Sequence, residues 1–148
     1  MKKQVSVLVG AGSIGQAIIR RVSAGKHVVL ADYSLENAER AAKTLENAGF
    51  ECSTIKCDLG SKEDILKLVE FATSIGEVKY LVNAAGVSPS QAPVEEILRV
   101  DLYGTSSDSS TIFLERHGII NKHQLYEKNS NNFNSSYDYG NNRCADAD

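Results

Sequence analysis

The sequence predicts an α/β fold, a doubly wound parallel sheet with helices on both faces, and three observations predict it. Short apolar runs alternate with segments of helical period over the first hundred residues. The first run leads directly into Gly10-Ala11-Gly12-Ser13-Ile14-Gly15, and an acidic residue, Asp32, closes the second run 20 positions beyond Gly12. Strand-helix-strand units joined by short links build a parallel sheet covered on both sides. Right-handed crossovers then favour the strand order 3-2-1-4.

Each element has its own justification. Residues 5–9 form a nearly continuous apolar run, as expected of a parallel strand buried on both faces. A helix over 13–24 follows, with Ile14, Ala17, Ile18 and Val22 as its predicted stripe and Gly25 as its stop. Val28-Val29-Leu30-Ala31 is the second strand and ends at Asp32. Ser34 caps a helix whose Leu35, Ala38, Ala41, Ala42 and Leu45 repeat at helical spacing before Gly49. Residues 50–56 alternate loosely as a third strand, ending at Cys57-Asp58. Ser61-Lys62-Glu63-Asp64 reads as a capped helix start whose acidic first turn suits the helix dipole. Ile65, Leu68, Val69, Ala72 and Ile75 form its stripe, and Gly76 ends it. Residues 78–82 are the fourth strand and run into Asn83-Ala84-Ala85-Gly86. After a loop, Pro93 suits the first turn of a helix carrying Val94, Ile97, Leu98 and Leu102.

Strand, glycine turn and helix start stand in the order a dinucleotide site requires. Gly10 permits the tight turn, Gly12 lets backbone N–H groups approach a pyrophosphate, and Gly15 lets the helix pack on the strand. The phosphates would rest on the positive end of that helix, where Ser13 and Ile14 begin it. Asp32 stands where a carboxylate accepts hydrogen bonds from the adenosine ribose and repels a 2′-phosphate, so NAD is expected over NADP. The plain alternative for Asp32 is a turn residue before a helix, a role that Asp-Tyr-Ser also suits. In a Rossmann-like sheet of order 3-2-1-4 the ligand crevice lies between strands 1 and 4. Both glycine-bearing loops, 10–15 and 83–86, fall at that edge.

Composition narrows the function classes. The chain has 148 residues, enough for one core. With 16 Lys+Arg against 19 Asp+Glu, it is not expected to hold nucleic acid or anionic membrane by bulk attraction. No apolar run approaches a membrane span, and a cytoplasmic location is the expectation. Cys52, Cys57 and Cys144 lack the spacing of a disulfide framework or a zinc site and read as reduced thiols. His117 and His123 have no evident third metal ligand, and Ser109, Ser110 and His117 have no spacing that fixes a nucleophile against a base.

On these motifs, residues 1–105 resemble the N-terminal, cofactor-binding half of a short-chain dehydrogenase/reductase. Asn83-Ala84-Ala85-Gly86 is similar to the family's Asn-Ala-Gly signature after the fourth strand, which supports the sheet and lines the cofactor cleft. Asp58 in Cys57-Asp58-Leu59 matches the acidic residue that meets the adenine. Val100-Asp101-Leu102-Tyr103-Gly104 resembles a helix segment that usually reads Val-Asn-x-x-Gly. The resemblance implies NAD(P)-dependent hydride transfer between nicotinamide and a small carbonyl or alcohol.

Departures from the family are specific. Its usual glycine run is Thr-Gly-x-x-x-Gly-x-Gly, and Asp101 replaces the asparagine that orders a water in its proton relay. Its chemistry rests on a serine after a fifth strand and on a Tyr-x-x-x-Lys pair, the lysine lowering the tyrosine's pKa. No Tyr-x-x-x-Lys occurs in this chain, so no catalytic residue is assigned. Residues 106–148 carry seven Ser and seven Asn among 43 positions with no sustained period, and much of this tail is expected to be disordered. A reading-frame shift near codon 106 would explain the abrupt change. The function readings are therefore a catalytically incomplete, truncated short-chain oxidoreductase, a non-catalytic NAD-sensing regulatory module, or an inactive product. A fourth strand with no fifth beside it leaves an open edge prone to self-association.

Overall fold

The computed structural model describes residues 2–86 and 92–104, with only the backbone of Tyr103. Of the loop expected over 87–92, residues 87–91 lie outside the described residues, as does the polar tail. Four parallel strands, β1 (Gln4–Val9), β2 (His27–Asp32), β3 (Glu51–Lys56) and β4 (Glu77–Asn83), form one sheet in the order β3-β2-β1-β4. This is the expected order. Val5 pairs with His27 on one side of β1 and with Val78 on the other, and β2 runs in register with β3 from His27–Glu51 to Asp32–Lys56.

Because side chains alternate across a strand, β1 feeds two cores at once. Val5, Val7 and Val9 join Val29, Ala31 and Val78 beneath α3 (Lys62–Ile75), against Ile65, Leu68, Val69 and Ala72. Leu8, with Val28 and Leu30, meets Ile19 of α1 (Ser13–Val22) and Ala38, Ala41, Ala42 and Leu45 of α2 (Leu35–Glu46). The alanines of α2 hold that helix close to the sheet. The side chains of Ser34 and Ser61 accept the backbone N–H groups of Asn37 and Asp64, so both predicted caps form. Gly25 and Gly49 take positive φ, +71° and +89°, beyond the ends of α1 and α2, a left-handed geometry that side chains rarely adopt.

Two predicted stripes are displaced. In α1 the inward residues are Gly15 and Ile19, with Val22 packed at the side, whereas Ile14 and Ile18 are 73% and 43% exposed. The cause is Gly15: a Cβ there would stand 2.6 Å from the Gly10 carbonyl oxygen and 2.7 Å from Leu8 Cδ1. That close approach decides which face of the helix meets the sheet. After Pro93 the chain makes one α-turn, α4 (Val94–Ile97), then widens into a π-helical winding over Leu98–Gly104. The wider turn breaks the α-period. Val94, Leu98 and Leu102 face outward, while Val100 is buried in the α3-side core.

Candidate functional site

A cleft of about 580 Å³ opens at the carboxyl ends of the strands, a size suited to a small-molecule ligand. α1 leaves β1 toward one face of the sheet, and the segment after β4 brings Val100 to the other. Adjacent strands whose helices diverge leave a crevice between them. The cleft is lined by Gly10 and Gly12, by Asp32 and Tyr33, by Asp58, and by Ala84, Ala85 and Gly86. Glu96 and Arg99 close its far side.

The three glycines of the turn do different things. Gly10 has φ +85°, and a Cβ on it would run into the backbone of Ala84 and Ala85, coming within 2.7 Å of Ala85 Cα. Gly15 lies buried beneath the turn and outside the cleft lining. Gly12, the N-cap of α1, has an extended backbone with φ −71° and ψ 176°. A Cβ on Gly12 would meet nothing within 4 Å. Neither backbone conformation nor packing among the described residues requires glycine there. A bare backbone facing open space at a helix start suits a pyrophosphate, so these residues fit a dinucleotide.

Asp32 ties the turn to the end of β2. Its Oδ2 accepts the Ala11 N–H at 2.8 Å and its Oδ1 accepts the Ser34 N–H at 2.9 Å. An ionised carboxylate has about four lone-pair sites, so capacity remains for two ribose hydroxyls. The turn role is formed, and it leaves room on the same side chain for the ribose role expected of it. Gln16 Nε2 donates to the Ala11 carbonyl at 2.8 Å and braces the turn from α1. Across the cleft Asn83 Oδ1 accepts the Ala85 N–H at 3.1 Å, shaping the loop on which Gly10 rests. Ser13 and Ile14 are exposed on the first turn of α1 and do not line the cleft.

At the β3 end, Asp58 Oδ1 accepts the Gly60 N–H at 2.8 Å, and Asp64 Oδ2 accepts the Asp58 N–H at 3.1 Å. Arg99 Nη1 stands 3.4 Å from Asp58 Oδ2, and Arg99 Nε donates to Glu96 Oε2 at 2.9 Å. The hydrogen bond to Glu96, then the charge of Asp58, hold the guanidinium above its usual range, with burial acting against them. Glu96 is correspondingly held below the usual carboxylate range by Arg99. Arg99, Glu96 and Tyr33 are not apparent as site residues in the sequence. Arg99 lies 41 positions from Asp58 and shares no local pattern with it; only its place two before Asp101 marks it. The Asp101 carboxylate stands near the opposite end, 3.6 Å from where a Cβ on Gly86 would be. Among the described residues no three His, Cys, Asp or Glu are placed to hold a metal ion.

Comparison with known proteins agrees with this architecture. The family pattern described as short chain dehydrogenase matches residues 3–106. A short-chain dehydrogenase/reductase of Alternaria brassicicola is 37% identical over 105 residues, 71% of this chain and 38% of that protein. Dehydrogenase/reductase SDR family member 2 of Homo sapiens is 38% identical over 92 residues, 60% of this chain and 33% of its own length. The crystal structure of an actinorhodin polyketide ketoreductase variant with NADPH superposes with a TM-score of 0.68 at 27% identity. That match covers 79% of this chain and 48% of the ketoreductase. The chain therefore spans between a third and a half of the length of each of these three relatives. Glycine turn, strand order, the acidic ends of β2 and β3 and the loop after β4 converge with these likenesses: the chain belongs to the short-chain dehydrogenase family.

Proposed function

We propose that this polypeptide binds an adenine dinucleotide in the cleft between β1 and β4, with NAD preferred over NADP. The observation that carries the proposal is the open space at Gly12 beside the Asp32 carboxylate. When bound, the nicotinamide of such a group accepts or donates a hydride, exchanged with a carbonyl or alcohol. The chain's own residues bind and orient. Gly12 at the start of α1 would bring bare backbone to the pyrophosphate, Asp32 would accept ribose hydroxyls, and Ala84, Ala85 and Gly86 would form the facing wall of the cleft. Proton transfer to the substrate oxygen has no assigned donor, because the sequence contains no Tyr-x-x-x-Lys. The proposal for this polypeptide is therefore binding with little or no turnover, in the cytoplasm. The matched region ends at residue 106, where the sequence changes character, which supports a shifted reading frame there.

Titration calorimetry with NAD and NADP tests the binding reading. Wild-type protein is expected to bind NAD more tightly, and Asp32→Ala to weaken NAD more than NADP. Loss of the Ala11 and Ser34 hydrogen bonds harms both cofactors alike, so the ratio reports the ribose role. Equal losses would remove Asp32 from that role. Nicotinamide absorbance followed across a panel of alcohols and ketones is expected to stay flat, and sustained turnover would refute catalytic incompleteness. DNA sequence around codon 106 completes the test: another frame must encode a serine strand and a Tyr-x-x-x-Lys.

A further inference from the structure

The cleft is built in sequence along the sheet. A dinucleotide with its pyrophosphate at the β1 turn and its ribose on Asp32 would direct its base toward the end of β3, the next strand in the sheet, where Asp58 and Leu59 line the cleft wall. Arg99 is the one cation among the described residues lining the cleft, and its setting is unusual. Both carboxylates that flank it, Asp58 and Glu96, hold the guanidinium edge. Its terminal atoms lie where a Cβ on Gly60 would stand, so one flank rests on bare backbone. Its charge is thereby matched and it is not poised to pair with a phosphate. Arg99 lines the cleft with its side chain 39% exposed, while its nitrogens are held by the two carboxylates.

We infer that Arg99, pinned by Asp58 and Glu96 over Gly60, is a stacking platform for the adenine ring and sets affinity for the adenosine half of the cofactor. A guanidinium plane stacks on aromatic faces, and its fork holds two carboxylates where a lysine ammonium cannot. Pre-organisation by the two carboxylates lowers the entropy lost when the base arrives. Gly60 is part of the device: its backbone φ is not in the left-handed region, so the reason for glycine here is room for the guanidinium.

The inference rests on the dinucleotide reading, and ADP-ribose separates the two. Binding to the full chain is measured by calorimetry for wild type, Arg99→Ala, Arg99→Lys and Gly60→Ala. Arg99→Ala is expected to weaken ADP-ribose about fivefold to thirtyfold, the range of a partly desolvated cation–π contact. Arg99→Lys is expected not to restore it. Gly60→Ala, which displaces the guanidinium while leaving residue 99 intact, is expected to act in the same direction without lowering the thermal midpoint of the unliganded chain. Nicotinamide mononucleotide, which lacks the adenosine, is expected to shift the NMR resonances of wild type and Arg99→Ala equally. Unchanged or tighter ADP-ribose binding in Arg99→Ala would overturn the platform, the latter showing that Arg99 obstructs the base. Equal loss for both ligands would mean a structural role. Failure of folded wild-type protein to bind ADP-ribose would sink the dinucleotide reading and this inference with it.

Discussion

Gly10 and Gly12 are two residues apart and their substitutions should fail in different ways. Alanine at Gly10 meets the backbone of Ala84 and Ala85 and needs a positive φ, so Gly10→Ala is expected to cost about 2–4 kcal/mol of stability in denaturant titration. Alanine at Gly12 meets nothing, so Gly12→Ala should change stability by less than about 0.5 kcal/mol. Its Cβ nevertheless occupies the approach to the helix start, and calorimetry is expected to show NAD binding weakened by at least about tenfold, since a small displacement of a bound group is costly. The thiol of Cys52 is displaced from its ordinary value. Burial, then the charge of Glu46, pushes the Cys52 thiol up to about 11. The thiolate is the nucleophile, so iodoacetamide at pH 8 should modify Cys52 far more slowly than a free model thiol, as mass spectrometry would show. At this scale the sequence reveals the glycines and Asp32 because their backbone roles recur at fixed spacing. Arg99 stays hidden because its partner Asp58 comes from another element and neither residue signals the other.

Elements are readable where one face alone decides burial. In α3 Ile65, Leu68, Val69 and Ala72 are buried as their period predicts, and Ile75 of the same stripe is partly buried against that core. α1 has two competing apolar faces, and the unsubstituted backbone of Gly15 selects Ile19 over Ile18. Substitution separates the faces: Ile19→Ala is expected to cost about 2–5 kcal/mol as a core cavity. Ile18→Ala should cost less, since part of that side chain already meets water. Chemical denaturation of the two variants side by side checks the rotation. The helix after Pro93 departs from its expected stripe for another reason: a pattern of period 3.6 cannot describe the π winding that turns Val100 inward. Both caps form where the sequence places them, and Ser34→Ala is expected to lower stability by about 1 kcal/mol.

For the molecule as a whole, β4 lies at one edge of the described sheet, with Tyr80 45% exposed, and Ile14 and Ile18 are exposed on α1. A strand edge and apolar side chains left in water favour association. Sedimentation velocity is expected to show species beyond the monomer at micromolar concentration, reduced when Ile14 and Ile18 are both replaced by Lys. An unchanged distribution in that variant would place the contact elsewhere. The strand order is legible because crossover handedness leaves few alternatives. The exposed face of α1 is not, since burial there depends on how closely Gly15 brings the helix to the sheet.

The contact between Gly10 and the Ala84-Ala85 backbone sits where three strands end. The Gly10 amide donates to the Ala31 carbonyl, the Ala84 amide to the Val9 carbonyl and the Ala11 amide to Asp32, so three strand ends are fastened through one point. Loosening any one of these strand ends loosens the others. In hydrogen–deuterium exchange the amides of Gly10, Ala11 and Ala84 should therefore show a common opening free energy that rises together when NAD binds, as a single opening unit rather than three loops.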